Sequence, residues 1–261
     1  MSAPLEWIDT PVTPFFLPDL KNKTALVTGS SQGIGRATTE LLLQNGVRVF
    51  GLSLQRGELK HPNLTEFECD LSDLGKTTEI FTEITRSTPQ LDYVVNVAGL
   101  DPKYPIDDVT VEQWDYLLDV NLRAYYFVIK MALPLLRKGS GRSIVNVSSI
   151  NYRLSVPGRA AYAATKAAIL GLTTGLSREL GSERIRVNTI TPGWIFTERQ
   201  VEEYFAGEKG EKHLAYVAQQ QSLKLKISAA EIANHILFYL SSVSRASTAH
   251  NCVVDGGWLL E

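Results

Sequence analysis

Lys23–Gly46 reads KTALVTGSSQGIGRATTELLLQNG, and this stretch decides the fold. Lys23–Thr28 is a short apolar run with the composition of a strand buried on both faces. Gly29, Gly33 and Gly35 crowd the turn that follows. Helical spacing starts at Gly35, runs through Leu41, Leu42 and Leu43, and stops at Asn45-Gly46. Strand, glycine turn and helix in that order predict a parallel α/β fold. They also predict a loop where close backbone approach and a helix N-terminus together hold a pyrophosphate.

The same alternation runs outward through the chain. Buried strands are expected at Arg48–Leu52, Leu64–Cys69, Leu91–Val95, Ser143–Val147, Ile185–Ile190 and Cys252–Val254. Helical patterns fall between them: one capped by Ser72 through Ile84, one from Val111 to about Arg137, one ending near Leu180, and Ala229–Leu240. The expectation is one α/β domain over 21–261, a Rossmann-type doubly wound parallel sheet. Residues 194–227 are polar and less regular, and sit where a substrate lid would. Residues 1–20 carry Pro4, Pro11, Pro14 and Pro18, which exclude a regular helix. They read as an extended arm docking Trp7, Phe15 and Phe16, or as a frayed tail.

Composition narrows the function classes. The chain has 261 residues, 44% hydrophobic and 21% charged, enough for one sizeable core. A net charge of −2 offers no electrostatic case for nucleic acid or an anionic membrane as partner. No apolar run approaches a membrane span, and the N-terminus lacks a signal-peptide pattern. Cys69 and Cys252 have neither disulfide-framework nor metal-ligand spacing, so no metal is expected and the chain reads as cytoplasmic.

Chemistry concentrates in Ser149–Lys166, SINYRLSVPGRAAYAATK. Tyr162 and Lys166 lie four apart on one helix face, and Ser149 ends the preceding strand. A phenol with a pKa of about 10 is a poor base near neutrality. An ammonium one turn away favours the phenolate, and a serine hydroxyl can fix the substrate oxygen. The end of the second strand bears on the cofactor. A dinucleotide without a 2′-phosphate is usually held there by an acid, whereas this chain has Ser53-Leu54-Gln55-Arg56. The lean is towards NADP over NAD, although Gln32 is not the basic residue that would strengthen it. Asp70, at a strand end, can accept from an adenine amino group, and small residues at Asn96-Val97-Ala98-Gly99 allow close backbone approach.

Taken together, TGSSQGIG (Thr28–Gly35), NVAG (Asn96–Gly99), Asn121, Ser149, YAATK and PGWIFT (Pro192–Thr197) resemble the classical short-chain dehydrogenases/reductases over residues 20 to about 258. The resemblance implies a seven-stranded sheet in the order 3-2-1-4-5-6-7 and an NAD(P)-dependent oxidoreductase. It implies Tyr162 as general acid/base, Lys166 as the cation that tunes it and holds the nicotinamide ribose, and Ser149 orienting the substrate. Asn121 would support a water relay to Lys166. Gly29, Gly33, Ile34 and Gly35 would cradle the pyrophosphate, with Asp70 at the adenine and Asn96 and Ala98 near its ribose. Ile195 and Thr197 would meet the carboxamide. Ser31, Gln32, Ser53, Leu71, Gly99, Pro192 and Gly193 complete the expected cofactor set. Val97 and Ser53 depart from the family pattern, the second leaving NAD against NADP open. The resemblance also suggests a homotetramer, while a dimer fits the Ala-rich helix equally.

Substrate contacts are expected from Asp101, Asn151, Tyr152 and Arg199, whose donors and acceptors suit a small polyol or sugar-like substrate. Two alternatives stay open: a 3-oxoacyl-(acyl-carrier-protein) reductase docking its carrier on Arg137, Lys138 and Arg142, and a non-catalytic dinucleotide-sensing protein.

Overall fold

The computed structural model describes Trp7, residues 11–154 and residues 156–259; residues 1–6 and 8–10 of the expected arm lie outside the described residues. Seven strands form one parallel sheet: β1 (Thr24–Thr28), β2 (Arg48–Ser53), β3 (Leu64–Glu68), β4 (Tyr93–Asn96), β5 (Ser143–Val147), β6 (Arg186–Pro192) and β7 (Asn251–Val254). Their order is β3-β2-β1-β4-β5-β6-β7, the doubly wound arrangement expected from the sequence. Successive side chains of a strand point to opposite faces. Accordingly Ala25 and Val27 join a core with α1 (Gly33–Gln44) and α8 (Ala229–Leu240). Leu26 joins the opposite core, built with α2 (Leu74–Ser87), α4 (Ala124–Leu136) and α5 (Ala160–Leu180).

The parallel register aligns the strand ends that matter. Thr28 is opposite both Leu52 and Asn96, Asn96 opposite Asn146, and Val147 opposite Ile190. The segments after β1, β4, β5 and β6 therefore leave the sheet along one edge.

Three local expectations change. The helix expected from Val111 is α3 (Val111–Leu118) and α4 joined by one wide turn at Asp119–Arg123. The Ala124 N–H bonds back to the Asp119 carbonyl there, a π-type bond that adds a residue to the turn. The cap of α2 is Asp73, whose carboxylate accepts from Lys76 N–H, whereas Ser72 N–H is itself bound by Asp70. A carboxylate at the N-cap also favours the helix dipole. The segment expected to be a lid is largely helical: α6 (Glu198–Tyr204), capped by Thr197, and α7 (Gly207–Gln220).

From Thr13 to Leu17 the arm is held through its backbone. Asn234 donates to the Thr13 carbonyl at 2.9 Å and accepts from Phe15 N–H at 3.0 Å. Asn45 donates to the Phe15 carbonyl at 3.0 Å and accepts from Leu17 N–H at 2.8 Å. Trp7 meets Phe196 edge-on, with ring centroids 6.3 Å apart.

Asp92, fully buried just before β4, fastens the start of β1 to the turn before β5. It accepts from Thr24 N–H at 3.0 Å, and from Ser140 and Gly141 N–H at 2.8 and 3.0 Å. Burial pushes its carboxyl up, but the backbone bonds from Gly141, Thr24 and Ser140 outweigh it, and the pKa falls below the usual carboxylate value. A depressed folded-state pKa stabilises above the unfolded carboxyl value near 4, and the stabilisation is lost as pH falls through the folded value. Asp92→Ala is expected to lower the unfolding free energy by about 3 kcal/mol at neutral pH. The deficit should shrink near pH 3, measured by urea denaturation at both pH values.

Candidate active site

The strand ends open onto a cleft of about 1140 Å³. At one end lies the glycine loop. Gly29 and Gly33 adopt left-handed backbone at φ +70° and +53°. A Cβ on Gly29 would stand 2.9 Å from the Ala98 Cα, and one on Gly35 would overlap the Gly29 carbonyl. The N-cap of α1, Gln32, makes no side-chain capping bond, so the first N–H groups of the helix face the cleft without an internal acceptor. Glycine backbone, a bare helix N-terminus and a long groove fit a dinucleotide pyrophosphate.

Ser53, at the end of β2, is buried. Its Oγ accepts from Ser31 N–H at 3.1 Å and pairs with Ser30 Oγ at 3.1 Å, bracing the loop from below. Asp70 and Leu71 line the same end. Asp70 is partly occupied, accepting from Ser72 N–H at 2.9 Å and from the Tyr116 hydroxyl at 3.2 Å. Ala98 and Gly99 form the floor, and Pro192, Gly193, Ile195 and Thr197 form the wall after β6.

At the centre, the carboxyl end of β5 meets α5. Lys166, 3% exposed, donates to the Val147 carbonyl at 3.0 Å. A Cβ at Gly99 would lie 3.3 Å from its Nζ, so the glycine makes room for the ammonium. The Tyr162 phenol interacts with the Ser149 hydroxyl, and Lys166 Nζ lies 5.7 Å from its ring centroid. Burial pushes Tyr162 up to about 12, against the pull of the Ser149 hydroxyl. It pushes Lys166 down to about 8. The expectation that Lys166 brings the phenol below its free value is thus corrected for this structure. The ammonium is committed to the Val147 carbonyl, and desolvation outweighs it.

Asn121, Asn96 and Tyr152 do not line the cleft among the described residues. Asn121 is fully buried behind it in the wide turn. It accepts from Leu100 N–H and donates to the Leu100 carbonyl, both at 2.8 Å, and donates to Thr165 Oγ1 at 3.2 Å. Its amide therefore fixes the loop after β4, one residue from the Lys166 pocket. Asn96 is turned across the sheet, donating to Asn146 Oδ1 at 3.0 Å, because it is the last residue of β4 and pairs with Asn146 in register. Tyr152 ends the single short turn after Ser149.

Residues expected to contact substrate converge on the cleft from three segments. Asp101 accepts from Arg199 of α6 at 2.8 Å and lies 3.2 Å from Arg159. Asn151 donates to Ser149 Oγ through its backbone N–H at 3.2 Å. Trp194, Tyr204, His213, Tyr216 and Trp258 supply ring faces. Trp194 packs on Tyr204 with centroids 5.6 Å apart, and Tyr216 on Trp258 at 5.8 Å. Arg159 and Trp258 were missed by sequence reasoning. The first carried a signal, since it precedes Tyr162 by three residues and so shares its helix face. The second reaches the cleft only through the turn at Gly256-Gly257. Arg137 and Arg142 lie beside the start of β5, at the opposite edge of the sheet from the cleft, which corrects their expected place next to it. Arg137 also pairs with Glu183 at 2.8 Å.

A family model described as enoyl-(acyl carrier protein) reductase matches residues 29–259. The chain is 34% identical over 254 residues to the probable galactose dehydrogenase GalD of Rhizobium meliloti (strain 1021), covering 92% of this chain and 96% of the relative. It resembles the ligand-free Thermoplasma acidophilum aldohexose dehydrogenase AldT with a TM-score of 0.86 and 27% identity, over 92% and 95% of the two chains. It resembles 4-hydroxyisoleucine dehydrogenase complexed with NADH with a TM-score of 0.84 and 30% identity, over 91% and 98%.

Gly29→Ala should test the glycine loop. Left-handed backbone costs an L-residue about 1–2 kcal/mol, and the Ala98 clash adds to it. Dinucleotide affinity should fall about tenfold or more, read by fluorescence titration of the purified protein.

Proposed function

Because the chain belongs to the short-chain dehydrogenase/reductase family and is an NAD(P)-dependent oxidoreductase, we propose the roles of its residues in interconverting a hydroxyl or hemiacetal of a small sugar-like substrate with the carbonyl. The observation that carries the reading is the convergence of Ser149, Tyr162 and Lys166 beside the glycine loop. A nicotinamide held there would supply the hydride acceptor or donor. Ser149 and Tyr162 hold the substrate oxygen between two hydroxyls. In reduction, a buried phenol with a pKa near 12 is protonated and ready to donate to the developing alkoxide. In oxidation, Tyr162 would take the proton of the substrate hydroxyl, while a bound nicotinamide would be the hydride acceptor. Lys166 orients the ribose, and Asn121 holds the Leu100 backbone against that pocket.

An aldose suits the substrate half. Asp101, Asn151 and Arg199 offer acceptors and donors to vicinal hydroxyls, while Trp194 and Tyr204 offer flat apolar surfaces to the ring carbons. A galactose dehydrogenase and an aldohexose dehydrogenase among similar proteins support the same class. The α6–α7 segment over the cleft is proposed as the lid, and the 13–17 stretch as part of a docked arm. NADP is the proposed cofactor, since Ser53 stands where a ribose diol would meet an acid and Arg56 lines the same rim. A cytoplasmic homo-oligomer, dimer or tetramer, belongs to the proposal. Its support is the two free cysteines and the open outer face of α5, where nothing lies within 4 Å of a Cβ at Gly171 or Gly175.

Tyr162→Phe should cut turnover by about 10³-fold while dinucleotide affinity stays within a few-fold of wild type. Turnover with D-galactose, D-xylose and D-glucose, each with NAD and with NADP, tests substrate and cofactor together. NADP should give the higher kcat/KM, and Arg56→Gln should lower that value about tenfold without changing the NAD value. A preference for NAD would remove the cofactor proposal, and no turnover of any aldose would remove the substrate class.

A further inference from the structure

Arg159 is the N-cap residue of α5, three residues before Tyr162, and its side chain is 10% exposed. A buried guanidinium is costly unless paired, and its partners fix its place. Nη1 donates to the Asp101 backbone carbonyl and lies 3.2 Å from Asp101 Oδ2, and Nη2 donates to the Tyr204 hydroxyl at 3.4 Å. Its Cζ is 5.7 Å from the Tyr162 ring centroid, the same distance as Lys166 Nζ. The phenol thus has a cation from the preceding turn and another from the following one.

We propose that Arg159 is a positioning residue for the reaction: it keeps a second cation beside the Tyr162 phenol, and Asp101, clamped between Arg159 and Arg199, sets how much of that charge the phenol feels. The inference rests on the acid–base role given to Tyr162 above. It matters because the two cations differ in permanence. Lys166, drawn down to about 8 by burial, is losing its charge at the alkaline pH where alcohol oxidation is favoured. A guanidinium keeps its charge throughout. The other groups around the phenol agree in sign. Arg159 and Arg199 pull its pKa down and Asp101 pushes it up, against the larger upward push of burial. Arg199 is partly tied to Glu203 at 3.5 Å, and Lys103 lies over the Tyr204 ring at 5.5 Å. From the turn after β5 comes the Ser149 hydroxyl, and from α4 the buried Tyr125, which donates to the Val147 carbonyl.

Opposite charges on one phenol predict opposite shifts. The test is the pH dependence of kcat/KM for oxidation of the fastest aldose of the panel, at saturating cofactor, in wild type, Arg159→Gln and Asp101→Asn. Arg159→Gln should move the rising limb about one pH unit towards alkaline, a tenfold loss at a fixed pH on that limb. Asp101→Asn should move it towards acid. Residues that merely braced the loop would lower rates in both variants without shifts of opposite sign, and any result other than opposite shifts overturns the proposal. If Arg159→Gln does not fold, Asp101→Asn decides alone: an acid shift supports the proposal and any other result removes it. Turnover retained in Tyr162→Phe would bring down the acid–base reading and this proposal with it. An inactive Tyr162→Phe with unshifted limbs would bring down this proposal alone.

Discussion

Hydrogen bonding between parallel strands forces every strand to leave the sheet at the same edge, and the site is a product of that constraint. Thr28, Asn96, Val147 and Pro192 end four strands that pair in register, β1 with β4, β4 with β5, β5 with β6. The glycine loop, the Val97–Gly99 floor, Ser149 and the Gly193–Thr197 wall are consequences of it. No long-range recognition has to be invoked to bring residues 33 and 197 together. The missing Cβ of Gly33, which would sit 3.3 Å from Thr197 Cγ2, records how close they come. The same ordering puts the fastening groups, Asp92 with Ser140 and Gly141, at the other edge, where they do not compete with chemistry.

Within the cleft, desolvation dominates over charge. Lys166 and Tyr162 are both taken out of water, and burial moves each away from its ionised form. A single ammonium whose hydrogen bond goes to a backbone carbonyl does not reverse that. What favours a phenolate here is the sum of smaller contributions from a serine hydroxyl and two guanidiniums, with a carboxylate subtracting from them. Burial favours the neutral phenol, and the groups that oppose it come from α5, α6 and the turn after β5.

What the sequence made legible follows from distance along the chain. The strand–glycine–helix order of 23–46 and the spacing of Tyr162 to Lys166 are local patterns with periods of known geometry, and both stand in the structure as read. Ser149 needed only the end of one strand. Asn121 was legible as a residue but not as a position, because a turn widened by one residue leaves no mark in hydrophobic spacing. Asn96 looked like a pocket residue, yet its side chain belongs to a pair with Asn146, fifty residues away. The helices over 198–220 were hidden by their low apolar content: most of their residues face solvent or the cleft, and only a short stretch at Val217-Ala218 is buried. Arg137 and Arg142 were visible as a cluster, but only the sheet reveals that they stand at its far edge.

The mooring of the arm has a bearing on how this protein tolerates change. Asn45 and Asn234 each offer one carbonyl and one amino group, and the segment from Thr13 to Leu17 meets them with peptide groups alone. Two side chains imitate an adjoining strand. Such a grip is indifferent to most of what the gripped segment spells, so mutations there can accumulate while the tether holds. Substitution at either asparagine would remove two of those four bonds at once and leave the strip to the other asparagine and the buried Leu17.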